Sequence, residues 1–235
     1  MTSYYPPPVL TNPATQESYE IASEIGVGRF GSVYRVTTNE GEFAAKVIPI
    51  DLLHQNAQAL LPREFEFTLN ELENGCQQII KFYDAFWFQD QNTRVAVHVM
   101  ELGMCNLEEA KSCVQTSAQI KNIYFQIRSG LDYMHSKRIL HRDLKEANIL
   151  VMNENFDIKI IDFGFCKQLE QNTTNTQLGS KEYMHPKILK NEPYGPECDL
   201  YSLGVILRNL LKNIKTPDSD YFEMDMISQI LLAVQ

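Results

Sequence analysis

The stretch from Ile139 to Gly164 constrains this chain more than any other: I-L-H-R-D-L-K-E-A-N-I-L-V-M-N-E-N-F-D-I-K-I-I-D-F-G. It carries Asp143 and Asn148 on one side of a predicted hairpin and Asp162 on the other. Two carboxylates and an amide are hard oxygen donors, the type that magnesium takes while keeping several of its waters. Chemistry on a nucleoside triphosphate needs such a set, with one carboxylate for the attacking hydroxyl and others for the metal.

His141-Arg142-Asp143-Leu144-Lys145-x-x-Asn148 followed by Asp162-Phe163-Gly164 resembles the catalytic loop and metal motif of eukaryotic protein kinases. The resemblance implies that Asp143 orients the substrate hydroxyl and accepts its proton, and that Asn148 and Asp162 hold Mg2+. It makes Lys145 a contact of the transferred phosphate, of the kind found in serine/threonine-directed kinases, and Leu150 the floor under adenine. His141 would be structural. Arg142 would meet a phosphate added to the segment Phe165 to His185, where one of Thr173, Thr174 and Thr176 is the expected acceptor and Ser180 also lies.

Upstream, Tyr19 to Ile25 leads into Gly26-x-Gly28-x-x-Gly31. That spacing alone also fits a dinucleotide fingerprint, which requires a helix to open at the third glycine. Phe30 to Thr37 is instead rich in Val, Tyr and Phe, and Asn39-Glu40-Gly41 supplies a turn, so a hairpin fits better. Glycines let backbone N–H groups approach phosphates closely. By resemblance, Ile25, Gly26, Val27, Gly28, Arg29, Phe30, Gly31, Ser32 and Val33 cover the ATP, with Val33 against the base. Glu42 to Ile48 resembles the family's V-A-I-K strand, with Ala44 facing adenine and Lys46 reaching the phosphates.

Leu61 to Leu72 reads as a helix, with Pro62 tolerated in its first turn. The resemblance calls for a glutamate here to pair with Lys46. Glu64 and Glu66 project from different sides of such a helix; Arg63-Glu64-Phe65 resembles the common R-E-I and favours Glu64. Gln78 to Gln89 and Thr93 to Leu102 read as strands. Val97 to Gly103 resembles an interlobe hinge, with Met100 behind the adenine and the backbones of Glu101 and Gly103 at the base edge. Ile120 to His135 has helical apolar spacing that leads to His141.

The implied fold is α+β and two-lobed. A small antiparallel β lobe plus one helix would span 19–102, behind an extended proline-rich tail over 1–18. A larger, mainly helical lobe would span 103–235, shortened after its central helix. Gly179 to Lys187 resembles G-T/S-x-x-Y-M-A-P-E, but His185 stands for the alanine and Lys187 for the glutamate. That glutamate normally pairs with an arginine much further along, whereas the sequence ends at Gln235, soon after Asp199 to Leu207, which resembles the central helix. Met224 to Val234 has spacing for one more helix. Apolar surface left by a shortened lobe usually marks an interface, so the expectation is a protein partner that covers it, with a longer parent chain or reduced stability as the alternatives.

With 44% hydrophobic and 22% charged residues, 235 residues can bury a sizeable core. The formal net charge of -9 argues against nucleic acid as the main partner. No apolar run approaches the ~20 residues of a membrane span, and the N-terminus lacks a signal pattern. Five cysteines without a C-x-x-C pair point to a reducing, intracellular compartment, cytoplasmic or nuclear, and Cys166 reads as a packing residue. The leading reading is a serine/threonine protein kinase acting on protein hydroxyls with Mg-ATP. The alternative is a kinase-like scaffold of low activity in a larger assembly, and a small-metabolite kinase ranks third.

Overall fold

The computed structural model describes residues 4–28, 30–53, 72, 75–169, 174 and 179–212. The chain divides into two compact units, Met1–Glu73 with Ile80–Leu102, and Asn74–Ile79 with Gly103–Gln235.

The first unit is built on a six-stranded antiparallel sheet. Its strands are β1 (Val9–Thr11), β2 (Ser18–Val27), β3 (Ser32–Thr38), β4 (Gly41–Pro49), β5 (Phe82–Asp90) and β6 (Thr93–Met100), in the order β1-β2-β3-β4-β6-β5. Central β4 and β6 carry near-continuous buried runs, Ala44–Ile48 and Val95–Val99, because both of their faces are covered. One face gathers Tyr34, Val36, Ala45, Val47, Phe86, Val95, Val97 and Val99 into a core.

From the segment expected to form an extended tail, 1–18, Leu10 joins this core and Tyr4 packs against it. Leu10 is fully buried, and β1 pairs with β2 in the register Leu10↔Tyr19. Burial of a leucine side chain is worth about 2 kcal/mol. Polar bonds fasten the segment across the sheet. Asn12 Nδ2 donates to both Asp84 oxygens at 2.9 Å, and the Tyr4 hydroxyl donates to Asp90 at 2.8 Å. Three residues are too few to show an inward–outward period in the sequence. The strand expected from Gln78 also starts later, at Phe82, because Ile79 bridges Ile160 in the second unit. The helix expected over 61–72 lies outside the described residues, apart from buried Leu72.

The second unit combines helices with short two- and three-residue strands. Helix α1 (Leu107–Ala110) follows β7 (Cys105–Asn106), and helix α2 (Ser117–Ser136) opens with a capping box between Thr116 and Gln119. Ile120, Ile123, Ile127, Leu131 and Met134 form its buried face. Strands β8 (Ile139–Leu140), β9 (Ile149–Val151), β10 (Ile158–Ile160) and β11 (Lys167–Gln168) come next, with β9 paired to β10 and β7, and β8 to β11. After them come α3 (Pro186–Leu189) and α4 (Glu197–Leu211), the latter buried over most of its length. Among the described residues no helix is long and apolar enough to cross a membrane.

Candidate active site

In the first unit, β2 and β3 approach each other in the register Gly26↔Val33 and Val27↔Ser32, and the Gly28 N–H donates to the Gly31 carbonyl at 2.8 Å. A Cβ at Gly31 would lie 2.0 Å from the Val47 carbonyl oxygen, so only glycine lets the loop close down on β4 here. Phe30 is buried beneath the loop, and the Lys46 ammonium lies 5.9 Å from its ring centroid. Ala44 and Lys46 occupy alternate positions on β4 and are both buried; Ile25 and Val27 on β2 are exposed. Lys46 is registered opposite His98 of β6, a fully buried imidazole. Burial, aided by the lysine charge, lowers the pKa of His98 to about 3, so it is neutral at physiological pH. Met100 ends β6, and the Glu101 N–H donates to the Lys81 carbonyl at 3.1 Å. Arg29, Glu64 and Glu66 lie outside the described residues.

In the second unit, the loop from His141 to Asn148 is held from below by one carboxylate. Asp199, fully buried at the start of α4, accepts the N–H of His141 and of Arg142, each at 2.9 Å, and the His135 ring at 2.8 Å. Burial alone would raise the Asp199 pKa, but the bonds and charges of His135, His141 and the Arg142 backbone outweigh it and hold the group below the usual carboxylate value. Strand β8 enters the loop and the 3-10 turn Glu146–Asn148 leaves it for β9.

Asp143, buried at 5% exposure, is the centre of a compact polar cluster. Its Oδ2 accepts Lys145 Nζ at 2.9 Å and Asn148 Nδ2 at 3.2 Å, and its Oδ1 accepts the Ser180 hydroxyl at 2.8 Å. Lys145 Nζ also donates to Ser180 Oγ at 3.0 Å. Asn148 Nδ2 donates in addition to the Asp143 carbonyl at 2.8 Å. With its amide nitrogen committed to Asp143, Asn148 keeps its Oδ1 without a donor among the described residues, which suits a cation ligand. The Asn148 carbonyl accepts the Ile161 N–H at 3.0 Å, which ties the residue next to Asp162 to the same turn. Arg142 and Asp162 have φ of 69° and 66°, a left-handed backbone kept only where the surroundings enforce it. Leu150 packs on Gly103, where an added Cβ would lie 2.4 Å from Leu150 Cγ.

The structure thus gathers Asp143, Lys145 and Asn148, with Asp162 tethered beside them. It adds Ser180, which the sequence marked only as part of the segment after Gly164. The signal was its place directly after Gly179, whose φ is 116° and where a Cβ would lie 2.3 Å from the Arg142 carbonyl oxygen. Only glycine permits that approach, and it delivers Ser180 to Asp143. Arg142 is buried, with Nε donating to the Phe165 carbonyl at 2.7 Å. Of the three threonines, Thr174 is described: it is buried, bridges Tyr194 and accepts Lys167 Nζ at 2.9 Å. Thr173 and Thr176 lie outside the described residues.

Residues 19–231 match the protein kinase domain. The chain belongs to the protein kinase family. Serine/threonine-protein kinase shk2 of Schizosaccharomyces pombe is 28% identical over 225 residues, 92% of this chain and 36% of its own length. Serine/threonine-protein kinase Nek6 of Oryza sativa subsp. japonica is 30% identical over 200 residues, 83% of this chain and 36% of its own. Serine/threonine-protein kinase PLK2 of Mus musculus is 30% identical over 210 residues, 86% of this chain and 30% of its own. The chain therefore spans about a third of the length of these relatives.

Two departures of this kinase domain from the family pattern find local explanations. Lys187 Nζ pairs with Glu197 Oε1 at 2.9 Å, and Glu197 Oε2 accepts the Gly195 N–H at 3.1 Å. The reversed charge therefore meets an acid ten positions along the chain. His185 is buried against Tyr201, with ring centroids 5.2 Å apart, and caps α3 by accepting the Lys187 N–H on Nδ1 at 3.1 Å. An alanine at that position offers no acceptor.

Proposed function

We propose that the chain is a serine/threonine protein kinase that transfers the γ-phosphoryl group of ATP to protein hydroxyls. The observation that carries this reading is the Asp143 carboxylate, held jointly by Lys145, Asn148 and Ser180. An acceptor hydroxyl placed at Asp143 loses its proton to that carboxylate as its oxygen bonds to the γ-phosphorus. The bond from phosphorus to the β–γ bridging oxygen breaks, and ADP leaves with those electrons. Lys145 stands beside Asp143 to meet the charge on the moving phosphoryl oxygens. The glycine loop Ile25 to Val33 and Lys46 bind the phosphates; Ala44, Met100, the backbones of Glu101 and Gly103, and Leu150 bind the base, with Glu64 as the partner of Lys46. Asn148 and Asp162 would hold magnesium, which offsets negative charge on the phosphates.

The two lobes of this reading are 19–102 and 103–235, and the compartment is intracellular, in keeping with five free cysteines. A protein partner on 103–235 accompanies this reading. Lys187, the departure that favours a scaffold, has Glu197 as its counterion and so does not weigh against catalysis.

The test incubates the purified chain and its Asp143→Asn variant with magnesium, labelled ATP and a generic basic protein. Transfer by the wild type that falls at least about 100-fold in the variant is expected. Equal background labelling by both, with folding and nucleotide binding verified, overturns the reading.

A further inference from the structure

Glu146 directly follows Lys145, yet its side chain turns away from Asp143 into the protein and is only 4% exposed. Its Oε2 accepts the Tyr183 hydroxyl at 2.5 Å and its Oε1 accepts Asn209 Nδ2 of α4 at 2.9 Å. Both donors are neutral. A carboxylate withdrawn from water depends on such bonds, and losing one leaves it short of a donor with no solvent to replace it. Glu146 therefore holds Tyr183 tightly, and Tyr183 is gripped from the other end as well, where its carbonyl accepts the Ser202 hydroxyl of α4 at 2.7 Å.

The consequence for the active site follows from spacing. Tyr183 closes the 3-10 turn Lys181–Tyr183, and its N–H donates back to the Ser180 carbonyl at 2.9 Å. Ser180 stands three residues before Tyr183, as Asp143 stands three before Glu146. The two chain segments are thus fastened twice, Ser180 to Asp143 and Lys145 at one point, Tyr183 to Glu146 at the other. The first fastening involves a small hydroxyl on a segment that begins at Gly179 in a left-handed conformation. Such a segment needs a second anchor to keep its hydroxyl in place.

We propose that Glu146 is a positioning residue for phosphoryl transfer, which acts through Tyr183 to hold Ser180 on Asp143 and Lys145. It touches neither ATP nor the acceptor. The proposal rests on the kinase reading above, since its effect on rate requires Asp143 to be the group that receives the proton.

The test compares wild type, Tyr183→Phe, Glu146→Gln, Ser180→Ala and the double variant Tyr183→Phe/Ser180→Ala under the same phosphoryl-transfer conditions. Tyr183→Phe removes one hydroxyl and keeps the ring. It should lower kcat about tenfold with KM for ATP unchanged within about twofold. In the Ser180→Ala background the same change should cost less than about twofold, because the group it positions is gone. A full tenfold loss in both backgrounds, or no loss of kcat in wild type, overturns the proposal. Amide hydrogen exchange at Tyr183 and Met184 supplies a readout independent of activity. Exchange there should quicken in Tyr183→Phe and Glu146→Gln while α2 stays protected, and unchanged exchange overturns the proposal. Inactive wild type would refute the kinase reading itself, whereas active wild type with indifferent variants would refute only the role of Glu146.

Discussion

Ser180 donates its hydroxyl proton to the Asp143 carboxylate at 2.8 Å while accepting a bond from Lys145. The residue is therefore part of the orientation of both groups, and Ser180→Ala should lower kcat about tenfold, the effect of one well-aligned hydrogen bond. Ser180→Thr keeps the hydroxyl and should restore most of the rate. Steady-state kinetics with circular dichroism as a check on folding decides it.

Asp199 supports the loop from His141 to Asn148 from the protein interior, with three donors on one carboxylate. Asp199→Ala should cost about 3–5 kcal/mol of stability, as for other buried charged networks that lose a partner. Urea denaturation measures it, and a loss below 1 kcal/mol would show that the loop is held otherwise. Because the folded carboxyl titrates below its unfolded value, the unfolded chain takes up the proton first as pH falls. The support from this group is present above about pH 4 and is lost as pH drops through the folded value.

His98 gives a second, separate pH dependence. Unfolded, its imidazole accepts a proton near pH 6.5; folded, it resists until about 3. Between those limits unfolding takes up a proton, so acidification destabilises the fold by at most ~1.4 kcal/mol per pH unit from this group. The difference in unfolding free energy between wild type and His98→Phe should slope in that window and flatten above pH 7. A flat difference throughout means His98 titrates normally.

Lys187 and Glu197 make a pair whose charges can be exchanged. Lys187→Glu should lower the melting temperature slightly, through repulsion and loss of the bond, and Lys187→Glu/Glu197→Lys should recover most of the loss. The effect is small because both side chains reach water, and it should shrink further at high salt. Thermal melts at two ionic strengths make the comparison.

The motif residues were legible in the sequence because they sit close together: Asp143, Lys145 and Asn148 span six positions, and one turn brings them together. The glycine loop was legible for the same reason, since a two-strand register fixes Gly26 against Val33. Ser180 was harder, as its bond to Asp143 spans 37 positions and depends on the left-handed Gly179. Glu146 was invisible for a different reason. A glutamate in a polar loop reads as solvated until Tyr183 and Asn209 are seen to enclose it. Lys187 reads as a broken pair because the glutamate usual at that position pairs with a distant arginine, whereas the lysine finds Glu197 ten residues away. Val9 to Thr11 was missed because three residues are too few to show a period.

That short strand has a practical side. The family match begins at residue 19, so a fragment trimmed to it keeps every candidate site residue of the chain. It strips Leu10 from the apolar sheet face and removes both Asn12 bonds from Asp84. Such a trimmed protein would be sticky and short-lived in the test tube, for reasons unrelated to its chemistry. Inactivity measured on it would say nothing about Asp143.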